Sequence, residues 1–117
     1  MKRYISLCMC ALLLLCLAGC ESAQLQEAKE CIDTIYEATS LLAEREAELA
    51  RYANATTNAE RAIKTNLENQ VFLCERLIAV NMEKLEDLYG QLSAEERQIL
   101  KEYAQETLGD YLENVWN

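Results

Sequence analysis

Thiols are the side chains of this sequence with the most distinctive chemistry, because a thiolate is a nucleophile that can be acylated or oxidised to a disulfide. Three of the six cysteines lie in an apolar stretch near the amino end: Cys8, Cys10 and Cys16. Cys20 follows the small residue Gly19, and Cys31 and Cys74 lie in the charged remainder of the chain. The surroundings of each cysteine therefore decide which chemistry it can undergo.

The first twenty residues have the layout of an export signal. Lys2 and Arg3 precede an apolar run over residues 4–17, and small residues follow it. The apolar stretch over residues 4–19 is shorter than the roughly 20 residues that usually span a bilayer, which argues against a plain transmembrane helix. An ordinary secretory signal, in which Cys20 is incidental, is the other alternative.

The ending Leu17-Ala18-Gly19-Cys20 resembles the lipobox of bacterial lipoproteins, which is a Leu, two small residues and a Cys. This resemblance implies that the Cys20 thiol receives a diacylglyceryl group, and that the chain is then cut between Gly19 and Cys20. In many bacteria the new amino group is acylated too, and two or three acyl chains make a stable anchor. We therefore expect a cleaved helical signal peptide over residues 1–19 and one lipid-anchored domain over residues 20–117.

The resemblance also bears on location in the cell envelope. Glu21 follows the expected lipidation site. By similarity to enteric lipoproteins, the lack of Asp at this position implies an outer membrane, with the domain facing the periplasm. In a cell with one membrane, the protein would lie on the outer face of the cytoplasmic membrane.

The mature domain is strongly acidic, with nine basic and twenty acidic side chains and a formal charge of −11. Such a chain repels phosphate backbones, so nucleic acid is not an expected partner. Anionic lipid should repel it as well, which holds the domain off the membrane to which it is anchored. The charge either serves a cationic partner or keeps a helical surface solvated.

Composition predicts an all-α fold. The chain has no Pro, and no Gly lies between Gly19 and Gly90, while strong helix formers dominate. The patterning predicts helices over about residues 22–53, 58–89 and 94–115. The favoured architecture is an antiparallel up-down-up three-helix bundle with coiled-coil-like packing.

Apolar positions recur at three- and four-residue steps in each predicted helix, which gives each helix a buried stripe. The second helix carries an additional stripe, Leu73, Leu77 and Val80, beside the one that contains Cys74 and Ile78. A face this wide indicates contact with two neighbours rather than one. Asn81 lies within the main stripe, where it either fixes the register or is partly exposed.

The sequence signals for the two predicted turns differ in strength. Gly90 can cap the second helix in a left-handed conformation, and Ser93 with Glu96 has capping-box spacing. The turn over residues 54–58 is weaker, although Thr57 and Glu60 have the same spacing. A single long helix over residues 22–89 is the minor alternative there.

Cys31 and Cys74 could pair in an oxidising compartment. A turn centred near Thr56 offsets them by roughly 7 residues, or about 10 Å along the helix axis. A disulfide needs Cα atoms within about 7 Å, so pairing would require an earlier turn, near Tyr52. Two buried thiols are slightly favoured, and a disulfide remains the alternative.

No catalytic, cofactor or metal site is expected. The chain has no His, the commonest acid–base group and metal ligand, and no Gly-rich phosphate loop. Adjacent carboxylates such as Glu95 and Glu96 point about 100° apart on a helix, so they do not converge by sequence alone. Their expected roles are solvation and helix-start charge, and the chain is predicted not to be an enzyme.

Three aromatic residues cluster near the carboxyl end: Tyr103, Tyr111 and Trp116. They are expected to pack on the other helices, with a partner-binding patch as the alternative. The leading functional hypothesis is a non-catalytic interaction module for another envelope protein, acting as a scaffold, an accessory subunit or an exclusion or immunity factor. A self-assembling envelope spacer, similar to small murein-linked lipoproteins, and a carrier of an apolar ligand are the alternatives. The chain lacks the final Lys of those murein-linked proteins.

Overall fold

The computed structural model describes residues 21–116, so the predicted signal peptide, the cleavage point at Gly19 and the lipidation site at Cys20 lie outside the described residues. The described chain forms three α-helices: α1 (Ala23–Ala50), α2 (Asn58–Gln91) and α3 (Ala94–Leu108). A 3₁₀ helix follows α3 over Gly109–Val115. No strand occurs between residues 21 and 116, which confirms the predicted all-α class.

Each α-helix begins at a hydroxyl side chain that accepts a hydrogen bond from a free backbone N–H. Ser22 accepts from the N–H of Leu25, and Thr57 accepts from the N–H of Glu60. Ser93 accepts from the N–H of Glu96, whose carboxylate accepts in turn from the backbone N–H of Ser93 at 3.2 Å. These caps satisfy donors that the first turn of a helix leaves unpaired, and they fix where each helix starts.

Replacing Ser93 by Ala is expected to lower the free energy of unfolding by about 1 kcal/mol, because it removes one half of the capping box of α3. Urea unfolding followed by circular dichroism measures this change. Ser40→Ala is the matched control, because Ser40 is exposed inside α1, where Ala is the better helix former. A Ser93→Ala variant as stable as the Ser40→Ala variant would contradict the role of this cap.

The first turn comes earlier than predicted, because α1 ends at Ala50 rather than near Ala53. The N–H groups of Arg51, Tyr52 and Ala53 bond to carbonyls three residues back, which tightens the helix end into a 3₁₀-like turn. The chain then leaves the helix before Thr57 starts α2. The alternative of one continuous helix over residues 22–89 is therefore wrong.

The end of α2 also differs from the prediction. Gly90 lies inside the helix, and among the described residues only Gly109 has a positive φ. The side chain of Arg97 supplies the missing donors instead, because its Nε donates to the Tyr89 carbonyl at 3.0 Å and its Nη2 donates to the Gly90 carbonyl at 3.2 Å. The guanidinium of Arg97, in the first turn of α3, therefore satisfies carbonyls at the helix end that a left-handed Gly90 was expected to cap.

The third predicted helix reached Val115, but α3 ends at Leu108. Gly109 adopts φ 59° and ψ −136°, a backbone conformation that residues with a Cβ rarely occupy. The chain continues as a 3₁₀ helix that buries Leu112 completely. Gly109 therefore changes the direction of the chain, and the segment that follows it still packs against the core.

The continuous core involves only half of the α1–α2 pair. It contains α1 up to Ala38 and α2 from Ile78, together with buried residues of α3 and the 3₁₀ helix. Six large side chains there are fully buried: Leu25, Ile32, Ile35, Leu85, Leu100 and Leu112. Beyond this core, α1 and α2 continue as a pair in which Leu67 and Cys74 are the buried side chains.

Long-range contacts show which parts of the helices lie side by side. On α2, Lys84 pairs with Glu27 of α1 at 2.8 Å, whereas Cys74 lies together with Leu41 of α1. The third helix packs on α1, where the hydroxyl of Tyr103 donates to Asp33 at 2.5 Å. Ser22 at the start of α1 also donates to Glu96 of α3.

Asn81 is half-buried, and its side-chain amide donates to the Leu77 carbonyl of its own helix at 2.8 Å. This bond lies within α2 and does not join α2 to α1. The structure therefore favours the partial-exposure interpretation of Asn81 over a role in setting the register.

Candidate functional site

An open apolar groove lies where α1 and α2 extend beyond the core. Two adjoining cavities of about 240 and 250 Å³ share Leu73 and Leu77 as lining residues. Together the cavities define the groove, which is lined by Leu41, Arg45, Gln70, Leu73, Cys74, Arg76, Leu77 and Val80. We refer to these eight residues as the distal groove.

The apolar side chains of the distal groove are unusually exposed. Leu73 is 62% exposed, Val80 53%, Leu77 46% and Leu41 40%. Isolated exposed apolar residues are common on protein surfaces, but a contiguous group of them marks an interaction site. The distal groove is therefore a candidate surface of the described chain for binding another molecule.

The spacing of Leu73, Leu77 and Val80 predicted that this stripe would contact a second neighbouring helix. This expectation is wrong for the described chain, because α3 packs on α1 and the stripe stays exposed to solvent. The sequence identified the correct residues, but it assigned them to the core of the domain.

The groove lies on the side of α1 that α3 does not cover. Lys29 and Asp33 of α1 both contact Tyr103 of α3. Leu41 lies about three and a third helical turns after Lys29, and Arg45 lies the same distance after Asp33. Leu41 and Arg45 are therefore rotated by about 120° around the helix axis from the two residues that contact Tyr103. The groove and α3 therefore occupy different faces of α1.

The charges that line the groove have the opposite sign to the domain as a whole. Arg45 and Arg76 are the charged side chains that line the two cavities, whereas acidic residues outnumber basic ones in the complete sequence by 20 to 11. The Nη1 of Arg45 donates to Glu48 at 3.1 Å. The Nε of Arg45 is buried and has no hydrogen-bond partner among the described residues.

The three predicted aromatic patch residues are not brought together. Tyr103 lies against α1, with Lys29 Nζ 5.2 Å from its ring centroid. Trp116 packs on Tyr89 with ring centroids 4.8 Å apart, and Tyr111 is 52% exposed. The hydrogen bond to the Asp33 carboxylate raises the pKa of Tyr103. Two of the three residues thus stabilise the fold.

Cys31 and Cys74 are both buried and unbridged. Cys74 lines the groove beside Leu41, which is about ten residues and roughly 15 Å further along α1 than Cys31. A disulfide requires Cα atoms within about 7 Å, so the observed pairing of the helices keeps the two thiols apart. Burial raises the pKa of the Cys31 thiol, and the nearby ammonium of Lys84 partly opposes this effect.

Both thiols are expected to remain free in the purified protein. A thiol-reactive reagent should find both Cys31 and Cys74 once residues 21–117 are unfolded, and Cys31 should react slowly in the folded protein because it is buried and its raised pKa lowers the thiolate fraction. The Cys31→Ala variant should show one reactive thiol fewer. A mass two hydrogens below that of the reduced chain, with no reactive thiol after unfolding, would contradict this expectation.

Of the adjacent carboxylates Glu95 and Glu96, the second has structural contacts. Glu96 accepts from the hydroxyl of Ser22 and from the backbone N–H of Ser93, and these hydrogen bonds lower its pKa. Between residues 21 and 116 no three His, Cys, Asp or Glu side chains are placed to hold a metal ion together. In the same range no helix combines the length and the apolar character that crossing a membrane requires.

The distal groove thus has an apolar floor and two arginines, and no described group in it suggests a nucleophile with an adjacent base. Comparison with known proteins gives no further guide, because the chain matches no protein family, no curated protein and no solved structure.

Proposed function

We propose that this chain is a lipid-anchored protein of the bacterial cell envelope, and that it acts without catalysis as a module that binds another protein. The observation that carries the proposal is the distal groove, where four apolar side chains between 40% and 62% exposed adjoin one another. Exposing such a surface is unfavourable in water, and covering it with a partner recovers the hydrophobic free energy.

The architecture that we propose is an antiparallel up-down-up bundle with coiled-coil-like packing. The pairing of Glu27 with Lys84, together with the proximity of Leu41 to Cys74, supports opposite directions for α1 and α2. The bonds from Ser22 to Glu96 and from Tyr103 to Asp33 support a common direction for α1 and α3.

In this proposal the lipid anchor lies at the start of α1, and the distal groove lies further along the same helix. Acylation at Cys20 holds the start of α1 near the membrane, because Ala23 begins that helix three residues later. Leu41 then lies about 27 Å further along α1. The groove would thus be presented away from the lipid, toward the periplasm if the cell has two membranes.

The mass of the full-length protein in detergent tests the proposal against the self-assembling spacer. Native mass spectrometry should show a monomer, because a groove meant for a foreign partner is unoccupied in the purified protein. A stable dimer or trimer that dissociates when Leu73 is replaced by Glu would instead assign the groove to self-association and contradict the proposed role.

A further inference from the structure

We propose that the distal groove binds one amphipathic α-helix of another protein, and that carboxylates beside the apolar stripe of that helix pair with Arg45 and Arg76. This inference rests on the proposed function and specifies its partner by chemistry. It is carried by the shape of the groove and by the sign of the charges that line it.

The spacing of the apolar residues fits a helix. Leu73, Leu77 and Val80 follow one another at steps of four and three residues, so they form one ridge along α2. Leu41 on α1 lines the same cavity as Leu73 and Leu77. Two helices side by side with an apolar depression between them form the surface onto which an amphipathic helix docks with its own stripe of apolar residues.

The charges favour an acidic helix over a basic or neutral one. Arg45 and Arg76 line the groove, and both cavities are free of carboxylates in their lining. Arg76 is exposed and forms no ion pair among the described residues, whereas the Nη1 of Arg45 already donates to Glu48 at 3.1 Å and can share its charge with a second carboxylate. An arginine fork binds a carboxylate with two parallel hydrogen bonds, so it adds geometric selectivity.

A second copy of this chain is a poorer occupant. A symmetric dimer places the groove of one copy against the groove of the other, and that lining contains no carboxylate that could pair with Arg45 or Arg76. The complementary charges must therefore come from another protein.

Helical peptides test this inference with the full-length protein in phosphatidylcholine nanodiscs. Two fluorescent peptides, each held helical by a hydrocarbon staple, carry the same Leu stripe, flanked by Glu in one and by Lys in the other. Fluorescence anisotropy, with empty nanodiscs as the background control, should show that the Glu-flanked peptide binds at least tenfold more tightly than the Lys-flanked peptide. Equal affinity for the two peptides, or a preference for Lys, would overturn the inference.

Charge reversal of the groove tests the same inference from the protein side. Arg45→Glu with Arg76→Glu should abolish the preference for the Glu-flanked peptide, and the exposed Arg76→Glu alone should reduce it. The matched control is Arg51→Glu with Arg61→Glu, which changes the net charge equally at exposed positions outside the groove. An equal loss in the control would overturn the inference, because net charge would then explain the preference.

The two proposals fail in different ways. A foreign protein crosslinked to the groove in cells, with no peptide preference in vitro, would overturn the acidic-helix inference and leave the interaction module in place. Absence of any foreign crosslink in cells would contradict the interaction module itself.

Discussion

Replacing Cys20 by Ala is expected to abolish acylation of this protein and to leave its signal peptide uncut. The lipobox-like ending at Cys20 implies that the thiol is modified first and that cleavage follows, so a residue without a thiol stops both steps. In cells grown with an alkyne-labelled fatty acid, the wild-type protein should carry the label and the Cys20→Ala variant should carry none. The mass of the variant should include residues 1–19.

Two other cysteines provide matched controls for this experiment. Cys31→Ala and Cys74→Ala make the same chemical change at buried positions of the helical domain, and both variants should keep the label and the mature mass. Sedimentation with membranes is a weaker readout, because an uncut signal peptide can itself hold the chain in the membrane. A labelled Cys20→Ala variant, or an unlabelled wild-type protein, would refute the lipid anchor.

Replacing Leu85 by Ala is expected to cost about 2–5 kcal/mol of unfolding free energy, because Leu85 is fully buried within the core shared by the three helices. A domain of this size has a total stability of roughly 5–15 kcal/mol. The midpoint of thermal unfolding should therefore fall by at least about 8 °C. Thermal unfolding of the full-length protein in detergent, followed by circular dichroism, measures the change.

Leu73→Ala is the matched control, because it removes the same atoms from the same helix at a side chain that is 62% exposed. Its cost should stay within about 0.5 kcal/mol, as for most surface substitutions. The contrast separates residues that hold the fold from residues that remain available for a partner. Equal destabilisation by Leu73→Ala and Leu85→Ala would mean that the groove residues belong to the core.

The helices themselves could be predicted because the local signals agree. Helix-forming composition, the absence of Pro and the spacing from Ser93 to Glu96 point to the same structure, and the capping box is present. The sequence did not distinguish the roles of Gly90 and Gly109, because the end of α2 depends on a side chain of the following helix. Arg97 satisfies the end of α2 at Gly90, whereas the backbone at Gly109 needs a positive φ.

The sequence predicted only part of the distal groove. The stripe of Leu73, Leu77 and Val80 was apparent from its spacing, but the choice between a buried and an exposed stripe depends on where α3 packs. That choice is made by tertiary contacts such as the one between Tyr103 and Asp33. The contribution of Arg45 to the groove follows only from the alignment of α1 with α2, which local patterning does not specify.

Photo-crosslinking in living cells tests the central claim most directly. A photoreactive amino acid is placed at Leu77 or Val80 in the full-length protein, and Ala47, exposed on α1 and absent from the lining of the groove, provides the matched position. The proposed module predicts one foreign envelope protein crosslinked from Leu77 and Val80 but not from Ala47. Crosslinks that join only copies of this chain, or equal yields from all three positions, would contradict it.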